Sequence, residues 1–250
     1  MSRSIFITGA SSGIGEALAV EYARRGWRIA LAARRVERLE ALAARLREFG
    51  AEQVLPVALD VTDFDGIAAA LASAAQDLGR LDVVVVNAGV GYTVPAGKGR
   101  FDLVKKTIDT DLLGAIATIE QALPLLRAQG GGQIVGITSI AGVRGVPLMG
   151  AYSASKAGLH RYLQAVSAEV RGEPITITEL APGYIDTDMN RGMKNRPFVI
   201  PVERGAAIMA RLIDRRVSHA YVPRWPWTIV APLFRVLPMA LLAPPRKADR

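Results

Sequence analysis

The chain has 250 residues, enough for one α/β domain with a sizeable core. It contains no cysteine, which excludes disulfides, iron–sulfur clusters and cysteine-based zinc sites and is compatible with a reducing cytoplasm. The formal net charge of +8 comes mostly from arginine, but no basic block interleaved with aromatics and no nucleic-acid-binding signature occurs, so no nucleic-acid partner is expected.

In chain order, Ile5, Phe6 and Ile7 form a short apolar run of the kind a buried parallel strand shows. Gly9, Gly13 and Gly15 follow, and from Glu16 the pattern turns helical, with Leu18 and Tyr22 periodic and Gly26 as a stop. Glycines between a strand and a helix start permit a tight turn and close approach of a phosphate to the backbone. The first helical N–H groups then face a pyrophosphate. A second strand, 28–32, leads to Ala33, Arg34 and Arg35. An acid at this strand end would bond a free ribose 2′-hydroxyl. Its absence, with guanidinium groups beside it, predicts NADP(H), held chiefly by Arg34. Arg35 reads either as a second phosphate ligand or as the first solvated arginine of the next helix.

Further strands are predicted at 54–59, 82–86, 133–138 and 175–180. Helices are predicted over Val36–Phe49, Ile67–Leu78, Phe101–Leu126 (broken near Pro124) and Tyr152–Val170. This alternation defines an α/β fold with a doubly wound parallel sheet flanked by helices, in a single domain. Residues 1–220 form the dinucleotide-binding and catalytic part, and 221–250 an apolar, proline-interrupted extension of it. The run Val83-Val84-Val85-Val86 suits a central strand buried on both faces. Right-handed crossovers place the strand ends, and a ligand, along one carboxyl edge.

Tyr152 and Lys156 lie four apart on a predicted helix and therefore share a face. A neighbouring ammonium favours a phenolate and lowers the phenol pKa, which lets a tyrosine give a proton to a carbonyl or take one from an alcohol. Ser139 stands thirteen positions upstream of Tyr152, at a strand end.

These motifs, in this order, resemble the classical short-chain dehydrogenase/reductase family. The resemblance runs from about residue 4 to about residue 215 and includes Leu59-Asp60-Val61, Asn87-Ala88-Gly89, Ile137-Thr138-Ser139 and Pro182-Gly183. It implies a Rossmann-like fold, a small-molecule carbonyl or secondary-alcohol substrate, and assembly as a homodimer or homotetramer. It implies cofactor contacts from Gly9, Ser11, Ser12, Gly13, Ile14, Gly15, Arg34 and Arg35, and from Asp60 and Val61 near the adenine. Asn87, Ala88, Gly89, Pro182, Gly183, Ile185 and Thr187 are implied further along the cofactor. Tyr152 would be the acid/base, Ser139 would hold the substrate oxygen, and Lys156 would bond the nicotinamide ribose and tune Tyr152. Asp60 reads equally as a cap for the next helix. Asp111 stands where the family usually carries an asparagine that helps hold a proton-relaying water. Two readings stay open for it: its charge near Lys156 raises the lysine pKa and alters the relay, or it is a harmless variant residue of the helix.

The segment 221–245 is apolar but interrupted by Arg235, Pro232 and Pro238, so no spanning helix is expected. Three readings stay open for it: a wall of the substrate pocket, a subunit interface, or peripheral membrane contact of a cytoplasmic protein. The two histidines, His160 and His219, are far apart in sequence and read as packing or surface residues, and no metal is expected. A rival function is a non-catalytic nucleotide-sensing protein on the same fold. A second rival is an epimerase or dehydratase of the related extended group, which usually has another glycine spacing and a longer substrate domain.

Overall fold

The computed structural model describes residues 2–193 and 195–238. Seven parallel strands make one sheet in the order β3-β2-β1-β4-β5-β6-β9. They are β1 (Ser4–Thr8), β2 (Arg28–Ala33), β3 (Gln53–Ala58), β4 (Val83–Val86), β5 (Gly132–Ile137), β6 (Ile175–Pro182) and β9 (His219–Val222). A separate two-stranded pair joins β7 (Ile185–Asp186) to β8 (Ile200–Pro201). The chain order reverses between β1 and β4, where a doubly wound sheet opens a ligand crevice.

Successive strand residues point to opposite faces. Ile5, Ile7, Val83 and Val85 therefore enter one core, under α1 (Gly13–Ala23), α2 (Val36–Glu48) and α7 (Val202–Asp214). Phe6, Val84 and Val86 enter the other, under α3 (Phe64–Asp77), α5 (Gly114–Ala128) and α6 (Gly150–Glu169). Both faces of β4 are covered, as its uninterrupted valines require.

The structure differs from the sequence reading at several places. Helix α1 begins at Gly13 rather than at Glu16, so the glycine-rich turn supplies its first N–H groups. The long helix does not break at Pro124. That proline lies on the exposed side of α5, where the carbonyl it leaves unpaired can meet water. The irregularity lies instead at Asp109–Leu113, a π-helical turn between α4 (Phe101–Ile108) and α5. Strand β9 crosses residue 220, where the C-terminal extension was expected to begin, and pairs with β6 at the sheet edge. Beyond it, α8 (Arg224–Val236) folds back over the carboxyl ends of the strands.

Candidate active site

One cleft runs along the carboxyl edge of the sheet. It is lined by every residue the sequence singled out for catalysis or cofactor contact except Gly15. Gly15 packs behind the turn, where a Cβ would come within 2.6 Å of the Gly9 carbonyl oxygen. Gly9 has a φ of +67° and lies against β4, with room for no side chain before the Ala88 backbone. Thr8, which the sequence reading passed over, ties these parts together. Its Oγ1 accepts from the Asn87 and Ala88 N–H groups at 2.9 and 3.0 Å. The Asn87 amide in turn donates to the Thr8 carbonyl at 2.8 Å, so this side chain braces the turn.

At the β2 end of the cleft, Arg35 is exposed at the start of α2, yet its side chain turns back onto the glycine-rich turn. Its guanidinium donates to Ser11 Oγ at 3.2 and 2.8 Å and to Ser12 Oγ at 2.9 Å, which holds it across the glycine-rich turn. Arg34 is half exposed and lies 3.7 Å from Asp60. Asp60 does not cap α3, because Asp63 does so by accepting from the Gly66 N–H. Asp60 Oδ1 instead accepts from the N–H and hydroxyl of Thr62 at 3.0 and 2.8 Å, which fixes the turn after β3.

At the other end, Ser139 closes β5 and caps a short 3₁₀ turn, its Oγ accepting from the Ala141 N–H at 3.1 Å. Tyr152 and Lys156 project from the first turns of α6, with the ammonium 5.7 Å from the phenol ring centre. Lys156 is buried and donates to the Ile137 carbonyl at 3.0 Å, so the end of β5 sets its position. The π-helical turn carries Asp111, fully buried, to within 3.8 Å of the lysine nitrogen. Asp111 Oδ1 accepts from the Val90 N–H at 2.7 Å, while Oδ2 has no hydrogen-bond partner among the described residues.

Burial dominates the electrostatics of this trio. It pushes the Asp111 carboxyl up to about 6, against the pull of Lys156 and the Val90 N–H. It lowers the Lys156 pKa overall; the Asp111 charge pulls the lysine up, in the direction expected of it, but does not reverse the shift. Burial and the Asp111 charge together push the Tyr152 phenol up to about 12, although a hydrogen bond with Ser139 pulls the other way. The expected depression of the phenol is thus not a property of the tyrosine–lysine pair alone.

A pH dependence follows. Replacing Asp111 with asparagine removes a charge that raises the Tyr152 pKa, so the phenol should titrate at lower pH. If Tyr152 is the proton donor, as the sequence reading expects, activity needs the protonated phenol, and its alkaline fall-off should therefore move to lower pH in Asp111→Asn. The wild type should also show an inflection near the carboxyl value of about 6 that the variant lacks. Profiles of kcat/KM against pH for both proteins check this, and superimposable profiles would remove Asp111 from the network.

Next to Ser139 and Tyr152 a second, mostly apolar cleft opens, lined by Met149, Tyr184, Met193, Trp227 and Phe234 among others. Trp227 and Phe234 belong to α8, so the pocket-wall reading of the C-terminal segment describes the inner face of that helix. Its outer face exposes Trp225, Ile229, Leu233 and Val236. Residues 239–250 of the expected extension lie outside the described residues.

A carboxyl-edge crevice at a strand-order reversal, with a glycine-rich turn and a serine, tyrosine and lysine at its far end, defines a dinucleotide-dependent oxidoreductase. The sequence matches the short chain dehydrogenase family over residues 3–197, and the chain belongs to that family. An uncharacterized oxidoreductase of Mycobacterium tuberculosis is 38% identical over 241 residues, covering 96% of this chain and 95% of that protein. The 11-beta-hydroxysteroid dehydrogenase 1A of Arabidopsis thaliana is 40% identical over 192 residues, covering 76% of this chain and 54% of that protein. Among solved structures, the alcohol dehydrogenase of the archaeon Thermococcus sibiricus, complexed with 5-hydroxy-NADP, superimposes with a TM-score of 0.80 at 30% identity. That match covers 89% of this chain and 96% of the archaeal one. The chain is thus an oxidoreductase acting on the CH–OH/C=O couple with a nicotinamide cofactor.

Proposed function

We propose that the protein interconverts an apolar carbonyl compound and its secondary alcohol with NADP(H). The observation that carries the cofactor choice is the end of β2. Ala33 leaves no carboxylate to repel a 2′-phosphate, and two guanidinium groups border the same part of the cleft. Arg34 is held there only by a long, half-exposed ion pair with Asp60, an interaction weak enough to yield to a phosphate. Arg35 is pinned by two serine hydroxyls and needs little reordering to stay in place. The cradle fits the phosphates: a turn with no space for side chains at Gly9 or Gly15 and the first N–H groups of α1. The NADP analogue in the archaeal neighbour supports the same choice.

When bound, the nicotinamide supplies or accepts the hydride. In this reading Ser139 and Tyr152 hold the substrate oxygen, and Tyr152 moves the proton at that atom. Lys156, anchored on the Ile137 carbonyl, provides a fixed positive charge beside the phenol. The mostly apolar walls of the adjoining cleft suit a hydrophobic substrate body, with the reacting oxygen at the end formed by the Ser139 and Tyr152 hydroxyls. The steroid-dehydrogenase name of the Arabidopsis relative agrees with that substrate class. The outer face of α8 suits assembly as a homodimer or homotetramer. Among the described residues no helix is long and apolar enough to cross a membrane.

The test is NADPH consumption with ketones, aldehydes, steroids and acyl-thioesters, repeated with NADH. Turnover is expected with apolar carbonyls and NADPH, and tight cofactor binding without turnover on any carbonyl would sink the reading. Arg34→Ala should weaken NADPH by about ten- to a hundredfold and NADH much less, since a charge-assisted phosphate contact is lost. Equal losses for both cofactors by isothermal titration would remove the 2′-phosphate assignment.

A further inference from the structure

The only two histidines of the chain converge on one buried carboxylate. His160 comes from α6, Glu179 from β6 and His219 from β9. His160 Nδ1 lies 2.8 Å from Glu179 Oε2, and His219 Nδ1 lies 3.1 Å from the same oxygen. One nitrogen or oxygen from each of the three residues falls within 4.8 Å of the others.

We propose that His160, Glu179 and His219 bind one divalent transition-metal ion of the zinc class. Ligand atoms about 2.0–2.2 Å from zinc stand about 3–3.5 Å apart in tetrahedral geometry, and the two nitrogen–oxygen separations lie at or just below that range. Two imidazoles and one carboxylate are a donor set that suits zinc and its neighbours in the first transition row. The carboxylate is also oriented as a ligand needs. Thr138 Oγ1 donates to Glu179 Oε1 at 2.7 Å, and His160 Nδ1 lies 2.9 Å from that oxygen as well as 2.8 Å from Oε2, so the carboxylate is held with Oε2 shared between both histidines. The edge of the Tyr221 ring packs against His219 with centres 4.9 Å apart, limiting its rotation. Burial is graded so that an ion can enter: Glu179 is buried, His160 intermediate and His219 exposed.

The site would act as a clamp. Strand β9 lies at the sheet edge and pairs only with β6, and the ion would tie both to α6, the helix that carries Tyr152 and Lys156. Thr138 links the carboxylate to the residue beside Ser139, so the clamp would bear on the end of β5 without adding a group to the reaction. With no cysteine and no third histidine in the chain, no thiolate or further imidazole competes for the ion.

The test is titration of the untagged full chain with zinc chloride by calorimetry, and with cobalt chloride followed by visible absorption. One ion per chain is expected, with cobalt d–d bands characteristic of nitrogen and oxygen ligation and a rise in melting temperature. His219→Ala sits at an exposed position of a short edge strand and should fold, as circular dichroism would verify. It should weaken zinc binding by at least about tenfold, and Glu179→Gln should do the same. Absence of stoichiometric binding by the wild type, or equal binding by wild type and His219→Ala, would overturn the site. Should a variant not fold, the cobalt titration of the wild type decides alone, since a spectrum identical to that of aqueous cobalt at every ratio would overturn an inner-sphere site.

Discussion

Tyr152→Phe is expected to lower turnover at least about a hundredfold while leaving NADPH affinity nearly unchanged. Phenylalanine keeps the ring volume and the face that Lys156 approaches, so the cleft should not collapse. Only the hydroxyl is lost, and with it the group proposed to move a proton at the substrate oxygen. A phenol pushed up to about 12 is fully protonated at neutral pH, so the protein as it stands is set to donate in the reductive direction. For alcohol oxidation the same burial is a cost, which a positive charge in the cleft would offset. Steady-state kinetics in both directions, with cofactor binding followed by fluorescence, measures the effect. Turnover at the wild-type level in this variant would take Tyr152 out of the mechanism.

The residues legible in the sequence are those whose partners lie close along the chain or at strand ends. The glycine turn could be placed because a strand run stops on one side of it and a helical pattern starts on the other. Tyr152 and Lys156 could be paired because one helix turn separates them. What escaped depends on contacts between distant segments. Pro124 was the one local helix breaker in its region, so the break was expected there. The actual π-helical turn carries the buried Asp111; the family resemblance implies its place near Lys156, but neither the turn nor the contact with the Val90 N–H is predictable from local pattern. Strand β9 has only four residues and one paired side, too little to stand out from a loop. His160 and His219 meet through Glu179, 19 and 40 positions away from it, and no sequence spacing signals such a meeting. The net electrostatics escaped for the same reason: Asp111 pulls the Lys156 pKa up as expected, but the net lowering depends on depth of burial, which the chain order does not reveal.

Trp227→Ala should have the largest effect on stability. The indole is completely buried and sits among Tyr184, Phe198 and Phe234, with ring centres 6.4, 5.6 and 6.3 Å away. It also lies directly on Gly183, where a Cβ would come within 2.1 Å of the indole nitrogen. Removing the ring leaves a cavity that the Pro182-Gly183 backbone cannot fill, because Gly183 is tied to the Val222 carbonyl by a 2.9 Å hydrogen bond. Truncation of a buried tryptophan costs about 3–5 kcal/mol. In a domain of this size that lowers Tm by roughly 6–20 °C. Trp227→Phe should retain most of the stability, because the indole N–H has no hydrogen-bond partner among the described residues and its loss forfeits no bond. The kinetic consequence is separate. The same ring walls the apolar cleft beside Tyr152, so Trp227→Ala should raise KM for bulky apolar carbonyls while kcat at saturation holds, since Ser139, Tyr152 and Lys156 are carried by other elements. Thermal denaturation of both variants and a KM series over substrates of increasing size test the two consequences independently. An unchanged Tm would show that α8 does not brace the Gly183 loop, and an unchanged KM series would show that the substrate does not reach it.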